Sequence, residues 1–177
     1  NYLVEVIADD TTIDLTTGKT PVITQLVSFI SKQQIEENEA IFATPLSTIA
    51  IKVATNETGT ATFEEKIIKA VSLTKSTLGF GVSSELNLFT DAPLLLDSQT
   101  SLEEQQQVII HRGAIEAAAS IMTDIANNNS LTTDEVVELL SQDLADGIID
   151  AKINQSDITQ YNTDVLTLFK VNPDDIV

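Results

Sequence analysis

The sequence contains no cysteine and no tryptophan, and its single histidine is His111. Without cysteine the chain can form no disulfide, no thiolate metal site and no cysteine nucleophile, and it offers no cysteine for a lipid anchor. One histidine cannot supply the nitrogen and sulfur ligands of a zinc site. With only two tyrosines, the chain has few of the rings on which sugars stack. This argues mildly against a glycan-binding groove.

Basic residues are also scarce, with 9 against 27 acidic residues, a net charge of −18 and a pI near 4.1. Binding to nucleic acid or to an anionic membrane surface depends on clustered lysine and arginine, so both are disfavoured. The open partners are cations, an unknown basic protein or a neutral ligand such as a glycan. The simpler alternative is that the charge only keeps the protein soluble.

Long apolar runs are missing as well. No stretch approaches the ~20 apolar residues of a membrane-spanning helix, so we expect no direct membrane insertion. No signal peptide is visible, because Asn1 leads directly into a strand-like run. We therefore expect the sequence to be a piece of a longer precursor whose targeting segment lies upstream. Glycine-rich phosphate loops, dinucleotide fingerprints and the G-x-S-x-G motif are also missing.

The patterns predict an α+β chain that is mainly α, with a β segment at 1–45 and a helical domain at 46–177. Tyr2–Ala8 alternates as a strand does, and Val22–Ile30 is a strand or an amphipathic segment. Such a small set of strands cannot stand alone. It is either the end of a truncated β-sandwich or a small sheet packed on the helices. The polar stretch Gln33–Glu39 is predicted to be a loop.

The helical domain is predicted to be a bundle of about five helices. Pro45 suits a helix start, and a last short helix is expected at about Asn162–Lys170. Three of the helices begin with a capping box, in which a hydroxyl residue is followed three positions later by glutamate. The three boxes are Thr62 with Glu65, Ser101 with Glu104, and Thr132 with Glu135.

The longest predicted helix, Ser101–Asn127, is the expected centre of the bundle. At about 100° per residue its apolar side chains fill roughly half the circumference, which is wider than the stripe of a surface helix. Such a helix needs neighbours on two sides, so Ile115 and Met122 are expected to face the core. His111 lies in the same arc, where we expect it to be buried and hydrogen-bonded. A proton-transfer role would need a carboxylate partner.

The acidic segment around Gly147 is the strongest candidate for a site. Its Asp-Gly-Ile sequence is similar to part of an EF-hand loop, but only Asp146 and Asp150 fall at ligand positions when Gly147 takes the place of the turn glycine. One interpretation is an acidic helix end with a glycine cap. The other is a weak calcium site formed by Asp143, Asp146 and Asp150. No cofactor is predicted apart from this calcium alternative.

Two further patterns have simpler interpretations. Asp9, Asp10 and Asp14 form a second acidic turn with the same two interpretations, of which a structural turn is preferred to a weak cation site. Ser72 and Lys75 match the S-x-x-K pattern of serine acylases, but the S-D-N and K-T-G elements of that chemistry do not occur. These two residues are therefore interpreted as ordinary neighbours on a helix.

Two segments resemble a class of exported bacterial surface lipoproteins: NYLVEVIADDTTIDLTTG (residues 1–18) and ATPLSTIA (residues 43–50). In that class an Ig-like or carboxypeptidase-regulatory-like β segment leads into a TPLTT-type element and then a helical region of uncharacterised role. Asp143 and Asp146-Gly147 are similar to its late D-x-x-D-G element. The sequence departs from the class in lacking the anchoring cysteine and a complete β-domain. The resemblance implies an extracellular or cell-envelope location, outer-membrane associated or periplasmic, and an adhesion-like or scaffold role, but it brings no functional residues.

These observations predict a non-enzymatic binding or spacer module of the bacterial cell envelope, or a secreted one, with an unknown ligand. No catalytic set is assembled in the sequence. A calcium-binding surface protein that uses Asp143–Asp150 is the alternative. A carboxylate-based hydrolase is less favoured. Because the separation of paired carboxylates is a property of the fold, the discriminating observation is whether two acidic side chains face each other across a cleft.

Overall fold

The structure, a computed structural model, describes residues 1–14, 18–94 and 101–161. Within these ranges helix outweighs strand, 48% to 11%, which confirms the predicted α+β, mainly α class. The predicted helix at 162–170 lies outside the described residues. The elements, in chain order, are β1 (Tyr2–Ile7), β2 (Gln25–Ile30), α1 (Lys32–Glu36), α2 (Pro45–Asn56), α3 (Phe63–Leu78), α4 (Leu102–Asn129), α5 (Thr133–Leu144), β3 (Lys152–Ile153) and β4 (Ser156–Asp157).

Strands β1 and β2 form a two-stranded antiparallel sheet that pairs Tyr2 with Ile30 and Ile7 with Gln25. The sheet lies against the start of α2. Thr48 Oγ1 accepts the backbone N–H of Val27 at 2.8 Å, and Ser47 Oγ donates to the Val27 carbonyl at 2.8 Å. The strands are therefore a small sheet packed on the helices, and β2 has its second edge satisfied by helix side chains.

Helix α2, and not α4, is the centre of the fold, so the prediction for Ser101–Asn127 is wrong in this respect. Eight of the twelve residues of α2 are buried, and it packs against α3, α4, α5 and β2. It begins with a capping box formed by Thr44 and Ser47, with Pro45 at its first position. Its residues are apolar or small on nearly every side, and this allows four neighbouring elements to approach.

Helix α4 has the predicted extent but is only partly enclosed. Met122 is buried as expected, whereas Ile115 is only half-buried. The first third of the helix faces outward in the described structure, where the exposed fractions of Leu102 and Ile109 are 78% and 68%. The wide apolar arc therefore divides into a buried face in the second half and an exposed apolar face near the start.

Residues 32–36 are helical, so the predicted loop at Gln33–Glu39 is wrong up to Glu36, whereas residues 37–39 lie outside any helix or strand. Ser31 and Gln34 form a reciprocal capping box, in which Ser31 N–H donates to Gln34 Oε1 at 2.8 Å. None of the five residues of α1 is buried. Local capping thus stabilises one helical turn that has no apolar face. A prediction based on the spacing of apolar residues does not detect such a turn.

Helix α5 contacts both the start of β2 and the end of the described chain. Asp134, in the first turn of α5, accepts the Thr24 N–H at 3.0 Å and so ties the start of β2 to this helix. After α5, the strands β3 and β4, of two residues each, form an antiparallel hairpin. Its turn residues Asn154 and Gln155 both have positive φ, at 52° and 66°, as a type I′ turn requires.

Candidate functional site

The predicted calcium segment is organised by Asp143, whose side chain is buried at the end of α5. Its carboxylate accepts backbone N–H groups from Asp150 at 3.1 Å, Ala151 at 3.0 Å and Lys152 at 3.4 Å. Asp143 therefore fastens the turn after α5 to the helix. Asp146 is used locally, because its Oδ1 accepts the Ile148 N–H at 3.2 Å.

The electrostatics of this turn are those of a buried carboxylate. Burial raises the pKa of the Asp143 carboxyl above its usual value, and the three N–H donors counteract part of that increase. Asp150 adds a further upward contribution to the pKa of Asp143 through charge repulsion. Burial, aided by the charge of Asp143, also raises the pKa of the Tyr161 hydroxyl. Within the described ranges, Asp150 Oδ1 and the Tyr161 hydroxyl are buried without a hydrogen-bond partner.

A metal ion needs several ligands that converge on one point. Among residues 1–14, 18–94 and 101–161, no group of three histidine, cysteine, aspartate or glutamate side chains is arranged to hold one. Asp143, Asp146 and Asp150 are close in sequence, but the structure assigns the first two to backbone N–H groups. The calcium site stays a prediction that this geometry does not support.

The second acidic turn is also built from local hydrogen bonds. Asp9 Oδ1 accepts the Thr11 N–H at 3.0 Å, the Thr11 hydroxyl at 2.7 Å and the Thr12 hydroxyl at 3.0 Å. These bonds lower the pKa of the Asp9 carboxyl, with the Thr11 hydroxyl contributing most. Farther along the chain, the Asp14 N–H donates to the Lys19 carbonyl at 2.8 Å. The segment is a hydrogen-bonded turn at the end of β1.

His111 is buried, as predicted, on the inner side of α4. The expected hydrogen bond is absent, since neither ring nitrogen has a partner in the described structure. Burial lowers the pKa of His111, and the charge of Asp91 offsets a part of that decrease. The side chain is therefore held in its neutral form within the core, without the hydrogen-bonded carboxylate that a proton-transfer role needs.

Ser72 and Lys75 lie on a groove of about 620 Å³ between α3 and the segment 82–89. The Lys75 ammonium donates to the carbonyl of Leu86 at 2.8 Å and to that of Ser84. Acylase chemistry would instead require Lys75 to receive the proton of Ser72. Lys75 holds the segment 82–89 against α3, which agrees with the structural interpretation of the S-x-x-K pattern.

Strand β1 is the feature that the sequence-based search for sites missed. It has one extensive neighbour among the described elements, which is β2. The side chains of Tyr2 and Val6 on one face are 56% and 49% exposed, and those of Leu3 and Ile7 on the other face are 51% and 68% exposed. A strand with apolar side chains exposed on both faces is unusual, because most sheets bury at least one face. The signal in the sequence is the run YLVEVI, in which apolar residues occupy both faces.

No described element pairs with the outer edge of β1 either. The N–H and C=O of Val27 point to α2, so its partner Glu5 forms a non-hydrogen-bonded pair with it. The Ala8 N–H donates to the Thr24 carbonyl at 2.7 Å, which places the even-numbered residues toward β2. The backbone groups of Leu3, Glu5 and Ile7 therefore point away from the sheet.

A groove of about 370 Å³ lies between one face of β1 and helices α2 and α5. Leu3, Val27 and Ile51 form its apolar part. Its charged lining residues are Glu5, Glu138 and Lys52, and the Lys52 ammonium is paired with Glu138 at 2.8 Å. The groove and the strand edge together make an apolar surface with an excess of carboxylate charge.

Comparison with known proteins finds no matching protein-family model, and neither a curated protein nor a solved structure is significantly similar to the chain. In the described part of the chain, no helix is both long and apolar enough to cross a bilayer.

Proposed function

We propose that the protein is a non-enzymatic binding module that acts at the bacterial cell envelope or outside the cell. The observation that carries this proposal is β1, which combines an open backbone edge with apolar side chains exposed on both of its faces. Open edges of this kind pair readily with other chains, and proteins usually cover or charge them when they have no partner. An exposed apolar surface with a polar rim is typical of an interaction site.

The envelope location is supported by the resemblance of residues 1–18 and 43–50 to exported surface lipoproteins. The net charge of −18 favours a basic or neutral partner over nucleic acid or a bare anionic membrane. The carboxylates of Asp9 and Asp143 and the ammonium of Lys75 are engaged in holding the fold. The start of α4 also exposes apolar side chains, but the backbone there bonds within the helix. Strand β1 adds a row of outward backbone groups, which makes it the part of the described chain best suited to a partner.

Hydrogen–deuterium exchange on the intact chain tests the proposal. We expect an envelope or culture-supernatant fraction of the producing bacterium to protect the amides of Leu3, Glu5 and Ile7, while the cytosolic fraction leaves them unchanged. Amides in the core of α2 serve as the internal control, because a surface ligand protects its contact site first. Equal exchange with every fraction, or protection by the cytosolic fraction alone, would overturn the proposal.

A further inference from the structure

We infer that β1 binds an extended, basic segment of a partner protein, which adds as a third strand to the sheet. This inference rests on the proposed binding function and specifies the chemistry of the partner. Its starting point is the direction of the backbone groups of Leu3, Glu5 and Ile7. These groups point to the outer edge at every second residue. Glu5 lies opposite Val27, and the backbone groups of Val27 bond to α2, so the two residues form no backbone hydrogen bonds with each other. This spacing of donors and acceptors matches another β-strand and does not match a helix.

The side chains of β1 determine the sequence pattern of that segment. Tyr2 and Val6 extend from one face, and Leu3 and Ile7 extend from the other. In an added strand, successive residues lie beside these two faces in alternation, so cross-strand contacts favour β-branched or aromatic residues. The partner is therefore expected to contain a short apolar run in an extended conformation.

Charge determines the remaining property of the partner. Glu5 lies in the middle of β1, and Glu138 lies across the groove. Further carboxylates lie at the two ends of the strand. Asp9 and Asp10 follow it, and Glu64 accepts a hydrogen bond from the side chain of Asn1, which precedes it. The ammonium of Lys52 is already paired with Glu138 at 2.8 Å. Lysine or arginine in the partner would complement this carboxylate excess, whereas a second copy of the chain would bring the same negative charge.

A synthetic peptide of alternating valine and lysine, labelled with a fluorophore, is the probe. We expect it to bind the intact chain in an anisotropy titration, to protect the amides of Leu3, Glu5 and Ile7 from exchange, and to bind more weakly as salt is added. The same peptide with proline at its central positions is the control ligand, since proline cannot continue a ladder.

Substitutions at position 5 separate the backbone from the charge. Glu5→Pro removes the outward N–H and leaves the backbone bonds of β1 to β2 in place, and proline is tolerated on such an edge. It also removes the Glu5 carboxylate, which accepts the side-chain amide of Gln25 at 2.6 Å. We expect it to weaken peptide binding by about tenfold or more, the loss of roughly 1.4 kcal/mol or more. Glu5→Gln keeps the N–H and is expected to weaken binding less. Unchanged hydrogen–deuterium exchange at the amides of Val4 and Val6 shows that the sheet is retained. Ile7→Lys is a second variant, which places a positive charge at an exposed position and so repels the basic peptide.

Peptide binding that neither Glu5→Pro nor Ile7→Lys weakens would overturn the inference. So would a wild-type chain that sediments as a dimer, becomes monomeric with Glu5→Pro and does not bind the peptide, because a second copy would then occupy the edge. If the peptide fails while an envelope fraction protects another surface, the inference falls and the binding function stands. If the peptide binds but no natural fraction protects the chain, the proposed function falls instead.

Discussion

Thr48 Oγ1 accepts the backbone N–H of Val27 at 2.8 Å and so joins the central helix to the sheet. The Thr48 side chain is buried, and its hydroxyl also donates to the Thr44 carbonyl at 2.7 Å. This contact closes one edge of β2, so among the described residues the outer edge of β1 is the open side of the sheet. A single hydroxyl thus helps to decide which strand is available to a partner.

Replacement of Thr48 by valine is expected to lower the free energy of unfolding by about 1–3 kcal/mol, because it leaves a partly buried N–H without an acceptor. Urea unfolding followed by circular dichroism measures the change. Thr55→Val is the matched control, since the Thr55 hydroxyl only donates to the Ile51 carbonyl of its own helix, at 2.9 Å. Equal losses for the two variants would contradict the role given to Thr48.

The position of α2 at the centre of the fold predicts unequal costs for the same substitution in two helices. Ile49→Ala in α2 empties a fully buried site and is expected to cost about 2–5 kcal/mol. Ile109→Ala in α4 truncates a side chain that is 68% exposed and is expected to stay within about 0.5 kcal/mol of the wild type. A large loss at Ile109 in the same unfolding assay would show that this end of α4 is covered.

The hydrogen bonds between the Asp143 carboxylate and the turn after α5 predict a further stability difference. Asp143→Asn replaces an acceptor oxygen by an N–H₂ group that opposes backbone donors, and about 1–3 kcal/mol of stability is expected to be lost. Asp146→Asn removes an equal charge at a site with one local bond and is expected to change little. Thermal melts of both variants provide the measurement. Indistinguishable melting temperatures would refute the structural role of Asp143.

Calcium offers a separate test of the same turn. We expect millimolar calcium to leave the melting temperature of the chelator-treated wild type unchanged, because both oxygens of Asp143 already accept backbone N–H groups. A ligand of the native state must raise the melting temperature. An increase that is lost in Asp150→Asn would therefore support the calcium-binding alternative for Asp143, Asp146 and Asp150.

His111 predicts a pH dependence of stability. Its pKa is lowered in the folded chain by burial, so the unfolded chain takes up a proton first as the pH falls below about 6.5. The contribution of His111 to the free energy of unfolding therefore declines with decreasing pH, by up to about 1.4 kcal/mol per pH unit, until the folded pKa is reached.

His111→Leu removes this titration and keeps an apolar side chain of similar size. The wild type is expected to lose stability relative to the variant as the pH falls below about 6.5. Urea unfolding at several pH values gives the difference in free energy of unfolding between the two proteins. The effect of the large net charge cancels in this difference, because both proteins carry the same other charged groups. Parallel profiles for the two proteins would show that His111 is not held neutral in the fold.

The helix starts were predictable because the signals are local. Thr62, Ser101 and Thr132 each accept the N–H of the glutamate three residues later, as the spacing predicted. A capping box needs only four consecutive residues, and the helix that follows completes its geometry. The same property explains α1, where Ser31 and Gln34 form such a box without any apolar periodicity.

The site was less predictable from sequence. The acidic motif around Gly147 was visible, but the sequence does not show that Asp143 turns inward toward the backbone of Ala151. The open edge of β1 depends on Val27 bonding to α2, a contact across 21 positions in the chain. No local pattern contains that information.

The sequence by itself determined the α+β class, the starts of α2, α3, α4 and α5 and the lack of any thiol, because these follow from composition and from interactions within a few residues. Only the tertiary structure decided that α2 and not α4 lies at the centre, and that no other described element pairs with the outer edge of β1. The physical reason is that burial and strand pairing are set by neighbours distant in the chain, and an apolar side chain such as Ile109 has the same local pattern whether a neighbour covers it or not.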